Sequence, residues 1–472
     1  MSSFPFKIRT APCINKFLLC LFPVSLLYLF LSHHSLPPHH PPSLSLSSSS
    51  SPLSLQNIVF SIASSSSSLS SRIPFISLWY NPNTTRAFLF LDRIAPSENP
   101  PNPRSLPPIL ISGNISAFPY TFRGGLKSAV RVARIVKEIV ELNLENVKWF
   151  VFGDDDAVFF KENLVRVLGK YDWEKWYYVG SNSENYEQNV KYSFDMAFGG
   201  GGFAISYGLA LALARVLDDC LMRYGHLYGS DARVFSCLAE LGVGLTHEPG
   251  FHQVDMRGNL FGMLSAHPLS LLVSLHHVGS IDPIFPNKNR TEALRHLFEA
   301  VDVDSARILQ QSVCYDHSNL LTISIAWGFA IQVYEGNLLL PDLLPLQRTF
   351  MPWRRNRFVD SHYMFNVREY PKDPCERPAV FFLESVISDK NGVWSNYTRL
   401  EVGNCQRTKI MQNLELVKVF SPKLELDIGE LKAPRRQCCD VSSFAFEKMV
   451  IGIRPCGVHE LISMQRSSSA AA

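Results

Sequence analysis

The stretch WFVFGDDDAVFF, residues 149–160, sets three consecutive carboxylates, Asp154, Asp155 and Asp156, directly behind an aromatic and β-branched run. Charge at the mouth of a buried strand costs free energy unless something positive answers it. An Asp-x-Asp pair at a strand end can hold a divalent cation, and the cation a diphosphate. Oxygen ligands with room for water suit Mg2+ or Mn2+. The same residues also suit a plain helix start leading into FFKENL, since aspartate favours helix N-termini. A second signal is FDMAFGGGGFAIS, residues 194–206, where four successive glycines carry a conformational-entropy cost that close approach of backbone to a ligand would explain. No Gly-Lys-Ser/Thr follows, so this is not a phosphate-binding P-loop. In GSDARV, residues 229–234, Ser230 reads as a helix N-cap and Gly242 as the stop. Asp231 at that start is a candidate general base, or simply a residue that suits a helix dipole. In THEPGFHQ, residues 246–253, His247 and His252 flank a Pro-Gly turn, and His252 is placed either to complete a metal site or to serve the core.

Strand-like runs must position these groups. NIVFSIA (57–63), RAFLFLD (86–92), ILIS (109–112), KWFVFG (148–153) and WYYVG (176–180) are such runs. Before KWFVFG lies a segment whose Ala129, Val132, Ile135, Val136, Ile139 and Val140 share one helical face. The rhythm predicts an α/β sheet that is at least partly parallel, with KWFVFG buried on both faces. Ligands of such sheets sit outside the carboxyl ends of the strands, where the aspartate triad stands. From about residue 300 the texture changes. LLTISIAWGFAIQVYEG and PAVFFLESVIS read as longer strands, and a β-rich, disulfide-bonded module is expected over residues 306–457. Its vicinal Cys438 and Cys439 are expected to join separate bridges.

Composition narrows the compartment and the partners. Of 472 residues, 46% are hydrophobic and 18% charged, which describes a globular chain, and a net charge of +3 without a basic stripe does not suggest nucleic-acid binding. No acidic residue occurs from Met1 to Leu91, and Lys7, Arg9 and Lys16 precede the apolar run Phe17–Leu31. That run spans about 22 Å as a helix against a bilayer core of about 30 Å. Charge asymmetry favours a signal anchor at 17–31, with a cytoplasmic tail at 1–16 and a lumenal body. A cleaved signal peptide and a Ser-rich transit peptide remain alternatives. Residues 32–54 form a Pro/His/Ser-rich stalk. Eight cysteines in the body and sequons at Asn83, Asn114, Asn289 and Asn396 point to the secretory pathway.

In order and spacing, the four motifs resemble the fringe-type glycosyltransferases of glycosyltransferase family 31 over about Phe150–Val254. They are closer still to the plant fringe-related family of unknown function, over about Leu55–Cys456. The resemblance implies a Golgi type II membrane protein with a GT-A-like, Rossmann-like mixed sheet over residues 55–300, a β-rich cysteine-containing module over 306–457 and a tail at 458–472. It implies a UDP-sugar donor, Mn2+ or Mg2+, and a glycan or glycoside acceptor joined by inverting, β-1,3-type transfer. By position, Asp156 and His252 would be metal ligands, Asp154 and Asp155 would support the donor, and Asp231 would be the catalytic base. Gly200, Gly201, Gly202 and Phe203 would line the loop beside donor and acceptor. GSDARV departs from fringe in having Ser230 before the aspartate, which bears on the identity of the base. The opposing reading is a GT-like lectin or scaffold with no turnover.

Overall fold

The computed structural model describes residues 52–94, 106–353, 362–403, 405–445 and 447–464. The expected tail and signal anchor and nearly all of the stalk lie outside these residues, as does the end of the C-terminal tail. Among the described residues no helix is long and apolar enough to cross a membrane. Those from Leu53 onward belong to one compact unit.

A seven-stranded sheet comes first in the chain. Its strands are β1 (Ile58–Ala63), β2 (Arg86–Leu91), β3 (Ile109–Ile111), β4 (Trp149–Asp154), β5 (Tyr178–Gly180), β6 (Phe203–Ser206) and β7 (Leu245–His247), in the order β3-β2-β1-β4-β6-β5-β7. Strands β1 to β4 are parallel, and β6 runs antiparallel between β4 and β5. The side-chain alternation of a strand divides the core. Ile58, Phe60 and Ile62 of β1 and Trp149 and Val151 of β4 face one cluster, while Val59, Ala63, Phe150 and Phe152 face another. KWFVFG is thus buried on both faces, as expected. On one side pack α1 (Leu69–Trp79) and, further along the chain, the C-terminal sheet; on the other pack α2 (Ser128–Glu141), α3 (Tyr207–Arg223) and α4 (Ser230–Glu240).

After α5 (Arg290–Asp304) the architecture changes to an eight-stranded sheet. Its strands are β8 (Gln311–Asp316), β9 (Leu321–Ala326), β10 (Ala330–Glu335), β11 (Ala379–Ser388), β12 (Val393–Arg399), β13 (Leu416–Ser421), β14 (Cys438–Ala445) and β15 (Lys448–Arg454). Their order is β8-β9-β10-β11-β12-β13-β15-β14. LLTISIAWGFAIQVYEG is not one long strand. It folds back as the β9–β10 hairpin at Trp327-Gly328-Phe329, where Gly328 takes φ +77°. Four disulfides close the body: Cys220–Cys237, Cys314–Cys439, Cys375–Cys405 and Cys438–Cys456. The vicinal cysteines do join separate bridges. The chain is therefore a mixed, largely parallel α/β sheet followed by a β-rich, disulfide-bonded region.

Candidate active site

The three aspartates stand where β4 ends, and their side chains part company there. Asp155 turns toward α1, where the hydroxyls of Ser64 and Ser68 donate to its Oδ2 at 2.7 and 3.1 Å and Arg72 Nε lies 3.5 Å from Oδ1. Asp156 Oδ1 meets His276 Nε2 at 2.9 Å, and its Oδ2 meets Arg72 Nη1 at 3.0 Å. Asp154 Oδ2 lies 3.8 Å from the same His276 nitrogen. One ligand atom each from Asp154, Asp156 and His276 falls within 4.8 Å of the others, a spacing that suits a shared cation. His276 Nδ1 faces the carbonyl of Gln253 at 3.2 Å and donates to it, which leaves Nε2 for the cation. That is the usual way a backbone acceptor fixes the tautomer of a metal-binding histidine.

The electrostatics agree with an opening meant for positive charge. Desolvation would raise Asp156, but the His276 hydrogen bond and charge and the Arg72 guanidinium hold it down at about 2. His276 is raised, because the carboxylates of Asp156, Asp154 and Asp255 outweigh its burial. Desolvation lifts Asp154 to about 6, with Asp156 and Asp231 adding to the rise and His276 opposing it. Next to it, burial and the His276 charge drive His277 down to about 3. The His277 ring stacks on Trp353 at 3.9 Å, and Arg257 lies 4.1 Å from the centre of that indole. The three aspartates, His276, His277 and Trp353 line a cavity of about 430 Å3 together with Ser64, Ser65, Ser68, Arg72 and Arg131.

Asp231 approaches from the other side. It lies in the first turn of α4, for which Gly229 rather than Ser230 is the N-cap, and its Oδ2 accepts the Gly199 N–H at 3.1 Å. Asp231 and Asp154 share a narrow recess with Gly199 and Phe203. Burial raises its carboxyl, against the hydrogen bonds it accepts from Gly199 and its own helix end, a direction that suits a proton acceptor near neutral pH. The glycines are explained by contact. Gly201 donates to Gln253 Oε1 at 2.7 Å and accepts from the Ser274 hydroxyl, Gly202 takes φ +88°, and the His276 ring occupies the space where a Gly200 Cβ would stand. Phe203 is buried and stacks on Phe152 at 5.1 Å, so it shapes the recess wall.

His252 is not brought to the aspartates. Its Nδ1 pairs with Glu184 at 3.1 Å and its Nε2 with His267 Nε2 at 2.9 Å, all three residues being buried. His267 Nδ1 donates to the Pro268 carbonyl at 2.9 Å, so His267 Nε2 is the acceptor and His252 the donor between them. With both nitrogens spent on buried partners, His252 has no lone pair for a cation here. The expected pairing with Asp156 gives way to His276. The signal for His276 was present in LLVSLHHVGS, a tandem histidine closing an apolar run, and Ser64, Ser65 and Ser68 of the segment after β1 line the cavity. A larger cavity of about 780 Å3 lies by β8 and β14, but its nearby Cys438 and Cys456 are spent on each other.

Two family profiles match the chain: "Fringe-like" over residues 53–262, and "Protein of unknown function, DUF604" over residues 188–439. Among solved structures, an active-site mutant of LgtC is similar over 52% of this chain and 94% of its own, at 12% identity and a TM-score of 0.32, a likeness that bears on no residue. No curated protein matches the sequence.

Proposed function

We propose, from the premise that this chain belongs to the DUF604 family of fringe-related proteins of unknown function, that it is a metal-dependent transferase moving a sugar from a UDP-sugar to an acceptor hydroxyl with inversion. The observation that carries this reading is the convergence of Asp154, Asp156 and His276 in one cavity, with Asp231 of α4 lining an adjoining recess that shares Asp154. Asp154, Asp156 and His276 would hold Mn2+ or Mg2+; such a cation, when bound, neutralises charge on a leaving diphosphate. Arg72 and Arg131 add fixed positive charge to the wall, and the serines of the β1–α1 turn offer hydroxyl donors. Asp231, deprotonated, takes the acceptor's hydroxyl proton while the new bond to the anomeric carbon forms and the bond to the diphosphate oxygen breaks. The glycine loop makes room for the His276 ring and the Gln253 backbone, and so would serve the site by letting that histidine reach the aspartates.

The reading extends to a β-1,3-type linkage on a glycan or glycoside and to a Golgi lumen location on an N-terminal anchor. Four disulfides support an oxidising compartment. The test is calorimetric titration of a UDP-sugar panel, with and without Mn2+, into the folded protein and into Asp156→Ala, His276→Ala and His252→Ala variants. Metal-dependent binding of one donor, lost in the first two variants and kept in the third, is expected. A folded protein that binds no nucleotide sugar under any of these conditions would turn the assignment toward a lectin or scaffold.

A further inference from the structure

One face of the C-terminal sheet carries an apolar row that is left partly exposed. Ile387, Trp394 and Phe420 are register partners across β11, β12 and β13, and the Trp394 and Phe420 rings lie 5.0 Å apart. Ile387 is 62% exposed and Trp394 37%. The partner of Phe420 in β15 is Gly452, which adds no side chain to cover the ring. Two residues along β12, on the same face as Trp394, stands Asn396 of the sequon Asn396-Tyr397-Thr398. Its cross-strand partners are Ser385 and Lys418, and its Nδ2 donates to Ser385 Oγ at 2.9 Å. Opposite Asn396 and Tyr397 the register of β11 skips Glu384, a bulge that opens the strand at this point. Thr398, the third sequon residue, is exposed on the same face.

We propose that Asn396 is N-glycosylated and that the first sugar of its glycan lies over Trp394, covering the Ile387–Trp394–Phe420 row. Same-face residues two apart on a strand are about 6.7 Å apart, the reach of one pyranose ring carried on the asparagine amide. One face of a pyranose is a set of C–H bonds, whose positive ends suit the negative face of an indole. In the transfer, Asn396 Nδ2 bonds to C1 of the reducing-end sugar and the bond from C1 to the oxygen of a polyprenyl diphosphate carrier breaks. The carrier diphosphate leaves, and the amide gives one proton to the host transferase. The remaining N–H still donates to Ser385. The other sequons lack this arrangement: Asn81, Ser112 and Asn287 hold the position two before Asn83, Asn114 and Asn289, and the Asn289 side chain caps α5. The inference needs a lumenal body for access to the glycosylating machinery, but it does not depend on the transferase reading.

The test expresses the full chain in a eukaryotic secretory host, as wild type, Thr398→Ala, which removes the sequon but leaves Asn396 in place, and Thr398→Ser, which restores it. Peptide mass spectrometry is expected to find a glycan on Asn396 in wild type and Thr398→Ser and none in Thr398→Ala. Loss of the glycan is expected to increase acrylamide quenching of tryptophan fluorescence and to lower Tm by about 1–3 °C. In a Trp394→Phe background the quenching difference is expected to vanish. A folded protein that has entered the secretory pathway with Asn396 bare overturns the proposal, whether or not other sequons are modified. So does an occupied Asn396 whose removal leaves quenching unchanged.

Discussion

Gly200→Ala is the sharpest test of the site geometry, because its consequence can be worked out from one contact. A Cβ built on Gly200 would stand 2.1 Å from His276 Cε1 and 2.4 Å from Nδ1, whereas ordinary contact begins at 3.4 Å. The imidazole would have to retreat by about 1.3 Å, the gap between 2.1 and 3.4 Å. It has little room, since Nδ1 is tied to the Gln253 carbonyl and the ring lies 3.8 Å from that of His277. Overpacking of this kind costs about 1–3 kcal/mol of stability, and a misplacement of about 1 Å at a reacting centre costs about 100-fold in rate. The control is Gly199→Ala, whose Cβ would find its nearest neighbours, Asp231 atoms, at 3.8 Å, an ordinary contact. It is expected to keep metal affinity and thermal stability near wild type. Titration of Mn2+ and UDP, with Tm measured in parallel, should show Gly200→Ala folded but at least 10-fold weaker for the metal–nucleotide pair. If Gly200→Ala binds as tightly as wild type at unchanged stability, His276 does not hold the cation, and the assignment of the metal ligands is wrong.

Four further outcomes follow from the structure. Asp231→Asn should retain donor binding while losing at least 100-fold in transfer rate. In wild type the rate should fall as pH drops through the raised Asp231 pKa, placing the acid limb of the profile above the ordinary aspartate value of about 3.9; a limb at or below that value counts against Asp231 as base. His252→Ala strands the buried Glu184 carboxylate and His267 ring nitrogen, so about 3 kcal/mol of stability should be lost in denaturant titration with metal affinity unchanged. Replacing both Cys220 and Cys237 by alanine opens a link of 17 residues between α3 and the helix that carries Asp231; about 3 kcal/mol should go, read as a lower denaturant midpoint.

Local pattern announced most of the frame and one half of the site, and the division has a physical cause. Strands β1, β2 and β4 were legible because each is a short run of apolar residues, rich in β-branched or aromatic side chains and bounded by polar ones, and the aspartates were legible because charge behind such a run is anomalous. The glycine loop and Asp231 announced themselves in the same local way. The histidine did not, because a metal ligand set is a statement about distance in space. His252 ends the short strand Phe251–His252 and His276 directly follows the short strand Ser274–Leu275, and the two strands pair in parallel within one small sheet, so sequence context ranks the histidines almost equally. What separates them is which partner each ring finds: Glu184 and His267 consume one, while the Gln253 carbonyl orients the other toward Asp156. Trp353, which stacks on His277, lies more than seventy residues downstream, and no local pattern connects it to the aspartates.

That same comparison explains why the negative charge at the end of β4 is tolerable at all. Arg72 and a protonated His276 answer the charge of three adjacent carboxylates asymmetrically, and a cation entering the site would take the place of the His276 Nε2 proton. Arg72 is shared by Asp155 and Asp156 and comes with two serine hydroxyls, so Asp155 is a brace between β4 and α1, with its oxygens already engaged. Asp154 has only a distant contact with His276 and keeps 44% of its side chain open to the cavity. An arrangement built only for stability would close all three in the same way. Here one carboxylate is locked, one is held by a histidine whose second nitrogen is already oriented, and one is left open, which is the order needed if a cation is to enter from the cavity side and find its ligands in place.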